Sequence, residues 1–473
     1  MSLTFLISSF VHFFGSLFTF SAYSEGVVGD VLSIHPLNSS TDAEQTITRL
    51  VYRSLFTYDQ EGNLVKDLVK EYEISEDGLT YSVTLKENLY WHNGNTITAD
   101  DILYTSSKAK NLREISTDKI DDKTVRFHLP NPYSPFLSVL TIPIAPQNSE
   151  STNNFYVNGS GDFRVIRVKR GREGLKEISL YTKNNKYEIK KINFKMYKSE
   201  NELFLAYKLG HIDGFISDSV FDWPNLLRFR LPIFGRYYVL NFNTSKEPFN
   251  NIENRKLASK SINYTELFDS VLKPIYKKAY GIISNSWATK EDTDYLNYDS
   301  SLEVLENPID IQVLSADSQI IKEVMGFIES EWQKVGIKAN ITYLSPQEVL
   351  SKTSQDKDYD LLVLGQEVGR DPDRYVFWHS TQTESPGLNF SNYSNLRVDK
   401  SLELGRQVIE KEERAKHYNI LQTVMIEEYP AIFLFHPGFY YHISEKFNVP
   451  EIKEIFYPYE RFKNFKDWGF RKE

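Results

Sequence analysis

Few residues able to do chemistry stand at catalytic spacings in this chain. There is no Gly-x-Ser-x-Gly turn, no His-Glu-x-x-His pair and no phosphate-binding glycine loop. The nine histidines are scattered, and neither His92 nor His379 has a ligand partner at helical spacing, so no metal centre is indicated. Asp100-Asp101, and Asp371 with Asp373, are acid pairs of the kind glycoside hydrolysis uses. Adjacent acids opening a helix are better explained by its dipole. What remains is one polar loop, Gly365 to Arg374, directly after the strand-like run Tyr359 to Leu364. Open α/β sheets bind ligands beyond the carboxyl ends of their strands. That places Gln366, Glu367, Arg370, Asp371 and Asp373 as candidate ligand contacts, while Asp371-Pro372-Asp373 is also good turn chemistry in its own right.

The elements around this loop follow from periodicity. Ile309, Ile311 and Val313 alternate as a strand, and Val324, Phe327, Ile328, Trp332 and Val335 form a helical stripe. Gly336 stops that helix and Ile337 to Leu344 alternates again, a βαβ unit with parallel strands. Earlier, Gly26 to Ile34 reads as a strand, and His35 to Asn38 as a turn before a helix from about Asp42 to Leu55. Tyr81, Val83, Leu85, Leu89 and Trp91 read as a hairpin turning at His92 to Asn95, with a helix opening at Thr98-Ala99-Asp100-Asp101. Gly159 and Gly161 mark a tight backbone turn. Tyr418, Leu421 and Met425 read as a core stripe on a late helix that Pro430 ends.

Composition bounds the class. A 473-residue chain that is 41% hydrophobic and 25% charged buries substantial cores, and its length is that of about three domains. A net charge of −9 without a basic cluster argues against a general nucleic-acid binder. Having no cysteine, the chain has no disulfide, thiolate metal site or cysteine nucleophile, and no cofactor is implied. Met1 to Ser24 carries no Asp, Glu, Lys or Arg and is strongly apolar, as an export signal or membrane anchor would be. It lacks a basic start, and Ser21-Ala22-Tyr23 is a poor cleavage match. About 20 apolar residues suffice to span a bilayer, so an uncleaved anchor is expected.

Several turns, in order, resemble one family. Tyr81 to Tyr104, with its Trp91-His92-Asn93-Gly94 and Thr98-Ala99-Asp100-Asp101, resembles the W/F-H-D-G and T-A-D-D-V elements of the family 5 extracellular solute-binding proteins, the oligopeptide receptors of ABC importers. Ser75 to Tyr81, Asn158 to Phe163, Gly210 to Gly214, Tyr237 to Asn243, Phe377 to Ser380 and Asn389 to Asn395 continue the likeness over nearly the whole chain. The resemblance implies an α/β, two-lobed periplasmic-binding-protein clamshell (type II-like) with an extra subdomain in the first lobe. The divisions implied are an anchor over 1–24, lobe I over 25–55, 158–241 and 431–473, the accessory subdomain over 56–157 and lobe II over 242–430.

The same resemblance implies a non-enzymatic, extracytoplasmic, monomeric receptor that binds peptide between its lobes and delivers it to permease and ATPase subunits. Alternatives are a tethered sensor or chaperone of the same fold, or a relative binding nickel, haem or sugar. Trp378 is expected to line the cleft or fill the core, and Asn389 to bind ligand or cap a loop; Ile34 and Asn38 lie at the cleft mouth in this reading. Peptide receptors of the family commonly carry, four residues before the loop proline, an acid that pairs with the peptide amino group. Here that position is Val368.

Overall fold

The computed structural model describes residues 22–149, 155, 157–172, 174–290, 297–355 and 357–472. Three sheets organise it. A seven-stranded sheet runs, edge to edge, Leu226–Pro232, Gly438–Ser444, Gly214–Ser217, Ala22–Val28, Lys191–Tyr197, Gly174–Tyr181 and Arg164–Gly171. A six-stranded sheet runs Lys277–Lys278, Ala431–His436, Arg236–Phe242, Leu361–Glu367, Ile309–Ala316 and Ile337–Leu344. The third has four antiparallel strands, Val69–Ile74, Thr80–Leu85, Thr124–His128 and Ser116–Lys119. The seven- and four-stranded sheets share one continuous buried core, whereas the six-stranded sheet has its own. The first two together are lobe I with its accessory subdomain; the last is lobe II.

The expected βαβ unit is present. Ile309–Ala316 and Ile337–Leu344 pair in parallel around the helix Gln319–Gln333, whose Val324, Ile328 and Trp332 are buried. Leu361–Glu367 pairs in parallel with the same first strand, so Gly365 to Glu367, expected in the loop, are strand, and the polar loop leaves the carboxyl end of a central strand at 368.

Other boundaries move. The first strand is Ala22–Val28 rather than 26–34, so an anchor ending at 24 runs into the centre of the seven-stranded sheet. Residues 1–21, which carry the rest of that expectation, lie outside the described residues, and among the described ones no helix is long and apolar enough to cross a membrane. The helix Asp42–Val51 stops four residues short of Leu55, because Tyr52 is extended and its N–H closes on the Thr48 carbonyl. The strand Arg236–Phe242 already belongs to lobe II, so the chain changes lobe at 233–235, ahead of the expected 241. It returns at Pro437, after the expected 430, since Ala431–His436 pairs with that strand. The two crossings are bonded to each other, Ile233 N–H to the Pro437 carbonyl at 2.7 Å. Gly235 fits there because a Cβ would stand 2.5 Å from the Phe456 carbonyl oxygen.

The turn at His92 to Asn95, closed by one bridge between Tyr90 and Thr96 rather than by the expected hairpin, and the helix Ala99–Lys108 are pinned by Asp101. Its carboxylate accepts from Trp91 Nε1 at 3.1 Å, the Thr98 N–H at 2.9 Å and the Gln147 N–H at 2.8 Å. The acid pair at 100–101 therefore serves architecture, and for a stronger reason than the helix dipole alone. The Gly159–Gly161 turn caps the end of the Asp42–Val51 helix: Ser160 and Gly161 N–H groups reach the Val51 carbonyl at 3.0 and 2.7 Å.

One buried polar network closes lobe I. Arg461, which is 3% exposed, meets Glu25, which is 1% exposed, at 2.5 Å. The other Glu25 oxygen accepts from the hydroxyls of Tyr441 at 2.6 Å and Tyr23 at 3.0 Å. Burial pushes both phenols far above their usual range, which keeps them donors. The network joins the first strand, a late strand and the segment Pro458–Phe462. Replacing Arg461 by Met strands a buried carboxylate, and denaturant unfolding should show a loss of about 3–5 kcal/mol.

Candidate functional site

A cavity of about 750 Å³ lies between the lobes. The accessory subdomain contributes Tyr58 and Tyr72, lobe II contributes Lys278, Tyr280 and Trp287, and the crossings contribute Phe234 and His436. Its size is within the range of small-ligand sites, and its walls alternate aromatic faces with polar groups. A second cavity of about 590 Å³ sits inside lobe I, between the helix Asp42–Val51 and the C-terminal segment. Only the first draws walls from both lobes, and only it meets the polar loop.

That loop is built by its ion pairs. Glu367 meets Arg236 at 2.7 Å, and Arg236 in turn holds Asp42 of lobe I with bonds of 2.6 and 2.8 Å. Arg370 directs one nitrogen to both oxygens of Glu460, at 2.7 and 2.9 Å, with its guanidinium 4.6 Å above the Phe456 ring centre and 5.2 Å from that of Tyr58. Asp371 is gripped in two-pronged fashion by Arg414 at 2.7 and 3.0 Å. Asp373 takes Arg406 at 2.8 Å and also the Tyr133 hydroxyl of the accessory subdomain at 3.3 Å. The four charges singled out from sequence are thus already partnered within the protein. Two of the four, Arg370 and Asp371, line the cavity.

The remaining sequence-derived positions do not line it. Ile34 is fully buried in the lobe I core, and Asn38 is exposed on the turn, its N–H closing on the His35 carbonyl. Gln366 alternates inward on its strand and is buried. Trp378 is 1% exposed and packs in the lobe II core, 5.9 Å from the ring of Phe433. Asn389, with no exposed surface, ties its own loop together: its side chain donates to the His379 and Tyr393 carbonyls and accepts from the Tyr393 N–H. Of the two open readings for Trp378 and Asn389, the geometry gives core and loop cap. Val368 is buried too, its N–H on the Gly235 carbonyl at 2.8 Å and its carbonyl accepting from Tyr457.

Three groups at the cavity wall stand out, and two of them, Ser284 and His436, were missed in the sequence. Ser284 Oγ, His436 Nε2 and Arg370 Nε are buried without a partner among the described residues. Burial pushes His436 down to about 4, so the ring is neutral at pH 7. Its Nδ1 donates to the Arg236 carbonyl at 2.7 Å, which leaves Nε2 as an acceptor. A lone His in an apolar strand gives no hint of this; only the crossing geometry does. Glu44 was also missed. Its carboxylate collects the N–H groups of Leu32, Ser33, Ser40 and Thr41, at 2.7 to 3.1 Å, and shapes the whole turn before its helix.

Burial alone would raise the Glu460 carboxyl, but Lys463, Arg370 and the Phe456 N–H together hold it below its ordinary 4.5. A depressed acid contributes stability that is present above its unfolded value and is lost as pH falls through its folded one. Unfolding free energy measured from pH 6 downward should therefore fall below about pH 4.5, and less steeply in Glu460→Gln. Arg370→Met leaves Glu460 with Lys463 and the Phe456 N–H, and should cost about 3 kcal/mol in denaturant unfolding.

Comparison with known proteins agrees with this architecture. Residues 63–387 match the family model described as bacterial extracellular solute-binding proteins, family 5. The oligopeptide-binding protein AppA of Bacillus subtilis is 21% identical, over 94% of this chain and 91% of its own. The structure of that AppA in complex with a nonapeptide superposes with a TM-score of 0.71 at 20% identity, covering 95% of this chain and 99% of the other. NikZ from Campylobacter jejuni, in complex with Ni(L-His), gives a TM-score of 0.74 at 20% identity with the same coverage. These similarities to solved structures establish the two-lobed fold.

Proposed function

The chain belongs to the family 5 bacterial extracellular solute-binding proteins, and from that membership we propose that it binds peptides in the interlobe cavity and delivers them to an ABC importer. Binding rather than catalysis is the activity of its family, and no reaction is assigned to the chain. The single observation that carries the reading is the cavity itself, walled by both lobes, with buried polar atoms that have no partner among the described residues. A ligand that satisfies those atoms removes a cost of about 1–3 kcal/mol for each group left unpaired.

The peptide reading rests on a further feature and on the relatives. Lys277–Lys278, which lines the cavity, is the edge strand of the six-stranded sheet. An extended peptide laid along such an edge binds through its backbone, and aromatic walls accept varied side chains. AppA of Bacillus subtilis, similar to this chain over 94% of its length, is named for oligopeptide binding. Asp371, Gln366, Glu367 and Asp373 shape the site; direct contact with ligand falls to the unpartnered wall groups, Arg370 Nε among them.

Ligand entry and release need the lobes to part about the crossings at 233–235 and 437. The apolar segment that precedes Ala22 would hold the receptor at the outer face of the membrane, where permease and ATPase partners complete import, and the receptor acts as a monomer. Mass spectrometry of ligand extracted from the purified protein should find a mixture of short peptides, and added peptides should raise the melting temperature. A single sugar or metal chelate, with no stabilisation by peptides, would exclude this function.

A further inference from the structure

The charges at the cavity wall are unevenly satisfied. Five cations line it (Lys277, Lys278, Arg370, Lys411 and Arg414) against three carboxylates (Glu61, Asp371 and Glu454), in a chain whose overall charge is −9. Each carboxylate has a cation of its own. Asp371 has Arg414, Glu454 has Lys277 at 2.6 Å and Asn285 at 3.0 Å, and Glu61 has Lys453 at 3.9 Å. Two lysines are left over. Lys278 is half-buried, its ammonium 5.7 and 5.8 Å from the ring centres of Tyr264 and Tyr280. Lys411 lies 5.5 Å from the Trp287 ring, and neither ammonium has a carboxylate within ion-pair distance among the described residues.

The unpartnered polar atoms of the wall can take the same ligand. Arg370 Nε is a donor without a partner on a side chain that is 9% exposed, and Ser284 Oγ is an unpartnered hydroxyl that can donate as well as accept. His436 Nε2, an acceptor, is the third such atom among the described residues of the wall. The loop's acids, Glu367, Asp371 and Asp373, are each held by an arginine, and the position four residues before its proline is the buried Val368. Half-burying an ammonium costs solvation that two aromatic faces offset only in part. The missing counter-charge is one that a ligand can bring.

Resting on the peptide reading above, we propose that the receptor selects its ligand by an anionic end: a carboxylate pairs with Lys278, Lys411 adds to the attraction, and the ligand's amino end makes no ion pair. Specificity arises by difference. A neutral end leaves Lys278 uncompensated in a closed cleft, whereas a blocked amine forfeits nothing.

The test uses the full chain and three pools of one set of tri- to pentapeptides, prepared as free acids, as C-terminal amides and as N-acetylated acids, with affinity read by calorimetry and melting temperature. The inference expects free and N-acetylated acids to bind alike and the amides about tenfold or more weakly. Lys278→Met should reduce the difference between acid and amide to less than about threefold, and Lys278→Arg should retain it. Lys411→Met, at an exposed position, keeps the test open if Lys278→Met fails to fold, and should narrow the difference. Amides binding as well as acids, or acetylation abolishing binding, would overturn it. If no pool binds, the peptide reading fails and a separate pair decides this inference: N-acetylglutamate should stabilise the wild type and its dimethyl ester should not. Equal effects from that pair would sink it.

Discussion

The buried ion pair between Arg370 and Glu460 is the contact on which the arrangement of the site depends. It joins the loop after the central lobe II strand to the C-terminal segment of lobe I, with both side chains nearly out of solvent. A pair so placed must have its remaining polar edges met, or desolvation outweighs attraction. Glu460 meets the condition with Lys463 and the Phe456 N–H. Arg370 meets it in part, with aromatic rings on two sides and one nitrogen left at the cavity wall. The loop is therefore a clasp first and a ligand surface second.

The neighbouring charges extend the same logic to both flanks of the cavity. Arg236 sits at the first crossing and holds Asp42 of lobe I together with Glu367 of lobe II. On the far flank Asp373 receives Tyr133, and the Ser134 N–H reaches the Arg406 carbonyl at 2.7 Å. Polar contacts that are partly solvated can break and re-form at small net cost, unlike a continuous apolar interface. The two lobes, each with its own sheet, are joined by such contacts, by the buried Arg370–Glu460 pair, by Phe456 packed into the lobe II core and by two short crossings. That is the construction a clamshell needs in order to open.

What the sequence disclosed follows from range. The βαβ unit, the helix caps and the strand Thr80–Leu85 are local patterns, and alternation with a stop at Gly336 was enough to place them, whereas the turn at His92 to Asn95 closes a single bridge, Tyr90 to Thr96, rather than a hairpin with that strand. The turn order from Ser75 to Asn395 then pointed to the family. Sheet membership is not local. Arg236–Phe242 and Ala431–His436 look like strands in either lobe, and only their pairing with each other puts both in lobe II, which moves the boundaries by several residues. The loop charges were located but not their partners, because Glu460 is 90 residues from Arg370 and Arg414 is 43 from Asp371. Trp378 and Asn389 have side chains suited to a cleft and to an interior alike, and burial alone separates the two. The unpartnered wall atoms leave no trace in residue type.

The central claim is that ligand sits between the lobes and not in the second cavity inside lobe I. Amide hydrogen exchange with and without the co-purified ligand tests it most directly. Protection that appears together around Tyr58, around Lys278 to Trp287 and around Arg370, on three separate stretches of chain, is the result predicted. Protection confined to the lining of the second cavity, at Arg49 to Ser54 and Asn184 to Tyr187 with no change at Lys278 or Trp287, would contradict it.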